Sequence, residues 1–184
     1  ENYLKVDAPK LHTCFFDIEV DFDPVKGFSP TSDPFNPVTA ISCYLDWLDQ
    51  LVTMVIAPKH MSKETAREIV AQFDNCLLFD NEKEMFDVFF QLIEDADILT
   101  GWNSEGYDIP YTVNRIIKAL SKEDSRRLCL FNQFPKRREY EKFGKDAVTY
   151  DLVGRVHLDS LELYRKYKKN CDEYFSNTHR NREM

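Results

Sequence analysis

The sequence lacks the features that mark membrane and secreted proteins. No apolar run approaches the roughly 18 residues that a membrane span needs, and the first residues show no signal-peptide pattern. The five cysteines are odd in number, widely spaced and without a Cys-x-x-Cys pair. This argues against a disulfide framework and against a structural zinc site. We therefore expect a reduced, cytoplasmic protein that does not bind membranes.

The chain also lacks internal repeats and low-complexity segments, and it has ample apolar material for one folded domain. Its 184 residues are 43% hydrophobic and include 14 Phe and 9 Tyr, which argues against disorder. This length and composition predict a single globular domain with a substantial core. We expect the protein to be a monomer.

The net charge of −8 is unevenly distributed. Residues 1–114 carry 21 acidic and 7 basic side chains, whereas residues 115–184 carry 11 acidic and 17 basic ones. Such a division is typical of an acidic, metal-collecting face beside a basic face that follows a phosphate backbone. Solvated helix surfaces that differ in charge explain the division equally well. The charge therefore permits a nucleic-acid partner without establishing one.

Hydrophobic periodicity predicts a mixed sheet with helices on its faces. The first three strands suggest an antiparallel meander, after which helices and strands alternate. The strands are predicted at residues 12–22, 38–48, 51–57, 76–79 and 97–102, with a hairpin and a returning strand in 132–158. The helices are predicted at residues 62–73, from Asp80 or Asn81 to 93 with Glu84 as the capping partner, from Ile109 or Pro110 to 120, and at 159–167.

The most informative motif is Asp17-Ile18-Glu19 inside an otherwise apolar strand. Alternate residues of a strand point to the same side, so both carboxylates project together. Unpaired carboxylates in a buried strand are unfavourable by several kcal/mol unless a cation compensates them, and Mg²⁺ or Mn²⁺ suits their oxygens. A surface strand with a polar outer face produces the same pattern. The apolar residues on either side favour the buried strand.

A second motif lies where the strand at 97–102 ends and the next helix begins. Ligands gather at strand ends in open α/β sheets, and a helix N-terminus favours anionic groups. Asp108 is placed there to ligate a metal, and Asn103 to hydrogen-bond a phosphate or a carboxylate. The simpler interpretation is that Asp108 caps the helix and Asn103 forms a turn, and this motif taken alone favours it.

Together, the two motifs resemble the first two exonuclease motifs of family B DNA polymerases, which belong to the DEDD superfamily of exonucleases. The residues that carry the resemblance are Asp17-Ile18-Glu19 and Asn103 followed by Tyr107-Asp108. The stretches similar to the replicative polymerases of T-even-like phages are residues 79–82, 100–103, 107–111 and 158–167. The resemblance extends over residues 12–167.

This resemblance implies a 3′→5′ proofreading exonuclease domain at residues 1–167. The implied fold is ribonuclease H-like α/β, a mixed sheet with antiparallel N-terminal strands, helices on its faces and an inserted β-hairpin. In the family's scheme Asp17 bridges two divalent ions, Glu19 binds one ion and positions the attacking water, and Asp108 holds the second. The implied cofactor is Mg²⁺ or Mn²⁺, with two ions in an intact site that stabilise the entering and leaving oxygens.

The partners implied by the resemblance are the 3′ end of single-stranded DNA and the remainder of a DNA polymerase chain. Single strands are held by aromatic stacking and by cations along the backbone. The expected nucleic-acid contacts are Phe16, Asn103, Tyr107, Tyr111, Lys136, Arg137 and Arg138. For Phe16 the sequence favours burial in the core over a DNA contact, and for the three basic residues a solvated loop explains the sequence equally well. A hairpin at residues 140–156 would correspond to the element that helps separate primer from template in related polymerases.

The family's third motif, Tyr-x-x-x-Asp, is missing from the sequence. It supplies a fourth carboxylate and a tyrosine that orients the water; Tyr167 with Asp172 has the wrong spacing, and His179 has no aspartate five positions on. Residues 168–184 match no part of the family pattern and form a tail of unknown role. Because losing one ligand weakens a metal site severely, we expect the isolated chain to be a weak or inactive exonuclease.

Three functions are compatible with these sequence features. The first is the proofreading domain of a polymerase, acting in the host cytoplasm if it is encoded by a phage. The second is an inactive nucleic-acid-binding module that keeps the fold, which metal binding at Asp17, Glu19 and Asp108 would distinguish from the first. The third is a stand-alone cellular exonuclease, against which the phage-like residues around Asp108 argue.

Overall fold

A six-stranded mixed sheet forms the centre of the protein, whose computed structural model describes residues 7–142 and 144–168. Within these ranges the strands are β1 Thr13–Val20, β2 Val38–Leu45, β3 Gln50–Ile56, β4 Cys76–Phe79, β5 Ile98–Gly101, β6 Lys136–Lys142, β7 Lys145–Asp151 and β8 Val156–Asp159. The helices are α1 Lys63–Val70, α2 Glu82–Leu92, α3 Asp108–Ala119 and α4 at residues 160–168, with a 3₁₀ turn at Asp124–Leu128. No helix in the described ranges is long and apolar enough to cross a membrane.

The strand order in the central sheet is β4-β3-β2-β1-β5-β8. β1, β2 and β3 form the predicted antiparallel meander, and β4, β5 and β8 add to it by parallel pairing. This is the ribonuclease H-like mixed α/β architecture expected from the sequence. Because β1, β5 and β8 run in one direction, their carboxyl ends meet at one edge of the sheet, where ligands bind in α/β folds.

Helices α2 and α3 bury their apolar sides against one face of the sheet. The core residues shared by β1, α2 and α3 include Cys14, Phe16, Ile18, Met85, Phe86, Phe89, Ile109, Tyr111, Val113 and Ile116. The rings of Phe16 and Phe89 lie 6.1 Å apart between their centroids. Burying such side chains is the main driving force for folding. The other face of β1 carries Phe15, Asp17 and Glu19, which are exposed.

Two helices begin where the sequence predicted. Ser62 caps α1 by accepting a hydrogen bond from Thr65 N at 3.1 Å. Asn81 caps α2: its Oδ1 accepts from Glu84 N at 3.0 Å, and its Nδ2 donates to Glu84 Oε1 at 2.9 Å. This side-chain pairing of Asn81 with Glu84 confirms the predicted capping partner.

Strands β6 and β7 form a separate two-stranded antiparallel sheet. Their register runs from Lys136 opposite Asp151 to Lys142 opposite Lys145, so the strands begin before the predicted 140–156. A turn closed by Arg155 N donating to Leu152 O at 3.0 Å then separates β7 from β8. Gly154 in this turn has a φ of 90°, a conformation that glycine adopts readily. β7 and β8, which follow each other in the chain, therefore belong to two different sheets.

Candidate functional site at the sheet edge

β1 presents Asp17 and Glu19 on the same exposed face, because residues alternate along a strand. Ile18 lies between the two acidic residues and Phe16 precedes Asp17, and both apolar side chains point into the core. The two carboxylates therefore project together as predicted. The strand is nevertheless exposed on that side, which corrects the expectation of a fully buried strand. Both carboxylates are exposed to water, so Asp17 and Glu19 need no cation to compensate for burial.

Asp108, unlike Asp17 and Glu19, is a buried carboxylate. It is the first residue of α3 and is 3% exposed, and its Oδ1 accepts a hydrogen bond from Ile18 N at 3.2 Å. This bond ties the start of α3 to the strand that carries Asp17. Burial, and next the negative charge of Asp17, raise the pKa of Asp108 to about 7. The two carboxylates thus lie close enough to repel each other.

Tyr107 lies beside this carboxylate group. It precedes α3, and its ring centroid is 5.4 Å from that of Tyr111. Burial raises the pKa of Tyr107 to about 12, with further contributions from Tyr111, Asp108 and Glu19. The structure therefore brings Asp17, Glu19, Tyr107 and Asp108 to one edge of the sheet.

The donor set suits a hard divalent cation, although the side chains are not arranged as a finished metal site. Among residues 7–142 and 144–168, no three His, Cys, Asp or Glu side chains are grouped tightly enough to hold an ion. Carboxylate oxygens are the ligands that Mg²⁺ and Mn²⁺ prefer. Burial and the negative charge of Asp17 disfavour the ionised form of Asp108, and a bound cation would favour it.

Two of the predicted nucleic-acid contacts lie in the core. Phe16 packs on α2, and Tyr111 is fully buried, with its hydroxyl donating to Asn36 O at 2.8 Å and 2.5 Å from Ser29 Oγ. Neither ring has a face for a base to stack on. For Phe16 this is the core position that the sequence favoured, since Phe16 alternates with the exposed Asp17. For Tyr111 it corrects the expected DNA contact, because α3 turns this side chain into the core.

The other predicted contacts lie on the loop after β5 and on β6. Asn103 follows β5 in a left-handed conformation with a φ of 58°, which asparagine tolerates better than most residues. Lys136, Arg137 and Arg138 lie on β6. Arg138 is already bound, with Nη2 donating to Glu105 at 2.5 Å and Nε donating to a β7 aspartate.

Arg137 lies beside the start of α3 rather than in a loop. It lines a cavity of about 140 Å³ together with Pro110, Asn114 and residues 31–32. Its guanidinium also pairs with Glu139 at 2.5 Å. Of the three basic residues, Arg138 thus fastens the hairpin to the loop after β5, and Arg137 faces the first turn of α3.

Sequence reasoning missed an aromatic pair in the loop after β1. Phe22 and Phe28 are 52% and 70% exposed, and their rings meet edge to face with centroids 4.9 Å apart. Asp23 folds the loop by accepting hydrogen bonds from Val25 N and Lys26 N, both at 2.8 Å. The signal available in the sequence was two phenylalanines in a polar, proline-containing loop that follows Glu19 directly.

The comparison with known proteins bears on this arrangement. The model of one family, DNA polymerase family B, exonuclease domain, matches residues 1–175. The chain belongs to this family. The match passes the predicted domain boundary at residue 167 and reaches into residues that lie outside the described ranges.

The exonuclease domain is similar to viral and archaeal polymerases. It is 29% identical over 188 residues to the DNA-directed DNA polymerase of Escherichia phage RB69, which covers 90% of this chain and 20% of that protein. It is 33% identical over 91 residues to that of Enterobacteria phage T4, covering 48% of this chain and 10% of that protein. DNA polymerase 1 of Saccharolobus solfataricus is 25% identical over 164 residues, covering 88% and 16%. The domain thus spans a fifth or less of these curated relatives.

Proposed function

We propose that this exonuclease domain hydrolyses the 3′-terminal phosphodiester of single-stranded DNA, as the proofreading part of a DNA polymerase. The observation that carries the proposal is the position of Asp108. Its Oδ1 accepts from Ile18 N, so a buried, protonatable carboxylate is fixed beside Asp17 at the edge where the parallel strands end. The family membership supports the same reaction class.

The proposed cofactor is Mg²⁺ or Mn²⁺, held by Asp17, Glu19 and Asp108. Asp17 would be shared by two ions, Glu19 would also position the attacking water, and Asp108 would hold the second ion. Divalent ions at such a site activate water and neutralise the charge that develops on the phosphodiester. Protons compete with the ion for Asp108, so metal affinity should rise as the pH approaches about 7, the pKa of Asp108 without metal.

The proposed DNA contacts are the exposed aromatic and basic groups around the carboxylates. Phe22 and Phe28 offer ring faces for stacking in place of Phe16 and Tyr111, and Tyr107 lies next to Asp108. Lys136 and Arg137 on β6 are placed to attract the phosphate backbone. The β6–β7 hairpin, fastened to the loop after β5 by Arg138, is proposed to help separate primer from template.

The proposed activity of this chain alone is weak, because the third motif is missing from its sequence. Asp159, the other buried carboxylate near the site, does not replace the missing ligand. Both of its oxygens accept backbone hydrogen bonds. The proposal therefore requires a further carboxylate ligand, besides Asp17, Glu19 and Asp108, for full activity.

Digestion of a 5′-labelled single-stranded oligonucleotide in excess Mn²⁺ tests the proposal, with Asp17→Ala as the control. We expect slow, stepwise shortening from the 3′ end that disappears in the variant. Shortening that survives Asp17→Ala would contradict the assigned site, and rapid digestion in Mg²⁺ would contradict the need for a further ligand. Loss of both cleavage and Mn²⁺ binding would support an inactive DNA-binding module instead.

A further inference from the structure

Asp159 is a buried carboxylate at the end of β8, on the same sheet edge as Asp108. It is 7% exposed, and the β5–β8 register places it opposite Gly101, the last residue of β5. It also directly precedes α4. Asp159 therefore stands between two segments, the loop that follows β5 and the first turn of α4.

Four backbone N–H groups donate to this one carboxylate. Oδ1 accepts from Leu161 N at 2.9 Å, from Glu162 N at 3.4 Å and from Asn103 N at 3.1 Å, and Oδ2 accepts from Glu105 N at 3.0 Å. The first two bonds cap α4. The other two hold the loop, since N–H groups around a left-handed residue form a concave nest that binds an anion. Here the anion is a side chain of the same protein.

The loop held by Asp159 also positions the start of α3. The backbone N–H groups on either side of Asp108 donate hydrogen bonds to this loop. Tyr107 N donates to Asn103 O at 3.1 Å, and Ile109 N donates to Ser104 O at 2.9 Å. A shift of the loop therefore displaces the backbone on both sides of Asp108. The position of Asp108 follows from that of the loop.

The loop is packed so closely against β1 and β8 that small displacements are transmitted. A Cβ atom at Gly101 would lie 2.6 Å from Phe16 O and 3.1 Å from Ser104 Cβ, so only glycine fits between the loop and β1. Ser104 is fully buried, and its Oγ donates to Gly101 O at 3.1 Å and lies 2.8 Å from His157 Nε2. Close-packed interiors transmit strain in this way.

We propose that Asp159 is a positioning residue of the exonuclease site, whose carboxylate holds residues 103–105 and thereby fixes Asp108 beside Asp17. This inference rests on the proposed function, because the position of Asp108 matters when it shares a metal with Asp17. Asp159 acts through the loop and does not touch the metal or the DNA. Partners of this kind typically change metal affinity or activity by about 10- to 100-fold when they are removed.

Manganese titration of the full 184-residue chain, followed by the EPR signal of free Mn²⁺, measures the effect. Asp159→Ala removes all four hydrogen bonds. Asp159→Asn can keep an oxygen that accepts from Leu161 N, but it places an NH2 group, which cannot accept, opposite Glu105 N. We expect Asp159→Ala to weaken Mn²⁺ binding about tenfold or more, and Asp159→Asn less. Asn81→Ala is the matched control, because the helix cap that it removes bonds to Glu84 of α2, and it should change the affinity less than about twofold.

Amide hydrogen exchange separates positioning from general stability. In Asp159→Asn, the amides of Glu105 and Ile18 should exchange faster, since the first loses its acceptor and the second bonds to Asp108, while the core amide of Ile41 keeps its protection. Equal acceleration at all three amides, or unchanged Mn²⁺ affinity in a folded Asp159→Ala, would overturn the inference. If the wild-type chain binds no Mn²⁺, the proposed function fails, and the exchange at Ile18 still decides the role of Asp159. If Asp159→Ala does not fold, Asp159→Asn decides by both measurements.

Discussion

At the scale of single residues, Asp108 determines how the site responds to pH. It is buried, lies beside Asp17 and has a pKa of about 7 in the folded chain, against 3.8 for an unperturbed aspartate. Between these two values the folded chain binds a proton that the unfolded chain has released. The contribution of Asp108 to stability therefore falls as the pH rises through this window and levels off above it.

We expect Asp108→Asn to remove this pH dependence in the absence of metal. The amide keeps an oxygen for Ile18 N and carries no charge, so at pH 8 the variant should exceed the wild type by a few kcal/mol in free energy of unfolding. At pH 4 the two proteins should be nearly equal, because Asp108 is then largely protonated in the wild type. Urea unfolding in EDTA at several pH values measures the difference, and parallel stability curves would contradict the assigned pKa.

The exposed ring of Phe28 gives a second prediction at this scale. Phe28→Ala should lower affinity for single-stranded DNA by about 1 kcal/mol or more, which is the loss expected for one stacked base. Val25→Ala is the control, because Val25 is 93% exposed in the same loop but has no ring. Fluorescence anisotropy with a labelled oligonucleotide compares the two variants. Equal affinities for both would remove Phe28 from the proposed DNA surface.

The sequence allowed some of these residues to be predicted and not others. Asp17 and Glu19 could be placed on one side of β1, and Phe16 in the core, because strand alternation is local. The role of Asp159 could not be predicted, since its bond to Asn103 N joins residues 56 positions apart. That contact depends on the pairing of β5 with β8, which no local pattern encodes.

At the scale of elements, α3 connects the site to the loop that carries the exposed phenylalanines. Its buried side enters the core, and polar side chains on its flank hold the loop. Tyr111 donates to Asn36 O, Asn114 donates to Thr31 O at 2.8 Å, and Arg115 donates to Pro34 O at 2.9 Å. Arg115 also forms a largely buried ion pair with Glu82 of α2. The loop after β1 is therefore positioned by the helix that begins with Asp108.

We expect Tyr111→Phe to destabilise the chain without weakening its binding to DNA. The change leaves Asn36 O and Ser29 Oγ without their buried partner, which costs about 1–3 kcal/mol. The affinity for single-stranded DNA should remain within about twofold of the wild type, since the ring has no exposed face. Thermal unfolding and anisotropy measure the two effects. A loss of DNA affinity with unchanged stability would restore Tyr111 as a direct contact.

Elements with a regular pattern could be predicted from sequence, and those defined by distant contacts could not. The strands β1 to β5 and the caps of α1 and α2 lie close to their predicted places because periodicity and capping residues are local. The hairpin occupies Lys136–Asp151 instead of the predicted 140–156, because the chain turns at Gly154 and Val156–Asp159 join the central sheet. The attachment of residues 29–36 to α3 could not be predicted, since it is made by side chains about 80 positions apart.

At the scale of the whole molecule, the domain accounts for a fifth or less of its curated relatives. The sheet edge assembles the exposed carboxylates of Asp17 and Glu19 and the buried ones of Asp108 and Asp159, but no group of three in the described ranges forms a finished metal site. We expect a metal to bind at Asp17, Glu19 and Asp108 with an incomplete set of protein ligands.

Anomalous diffraction from crystals grown with Mn²⁺ at pH 8 tests the central claim most directly. The claim is that Asp17, Glu19 and Asp108 form the metal site of the exonuclease. We predict a manganese peak between the carboxylates of Asp17 and Asp108, at oxygen distances of about 2.0–2.3 Å. The peak should be absent from Asp17→Asn crystals grown identically. Manganese bound only elsewhere on the chain, or equal peaks in both crystals, would contradict the account.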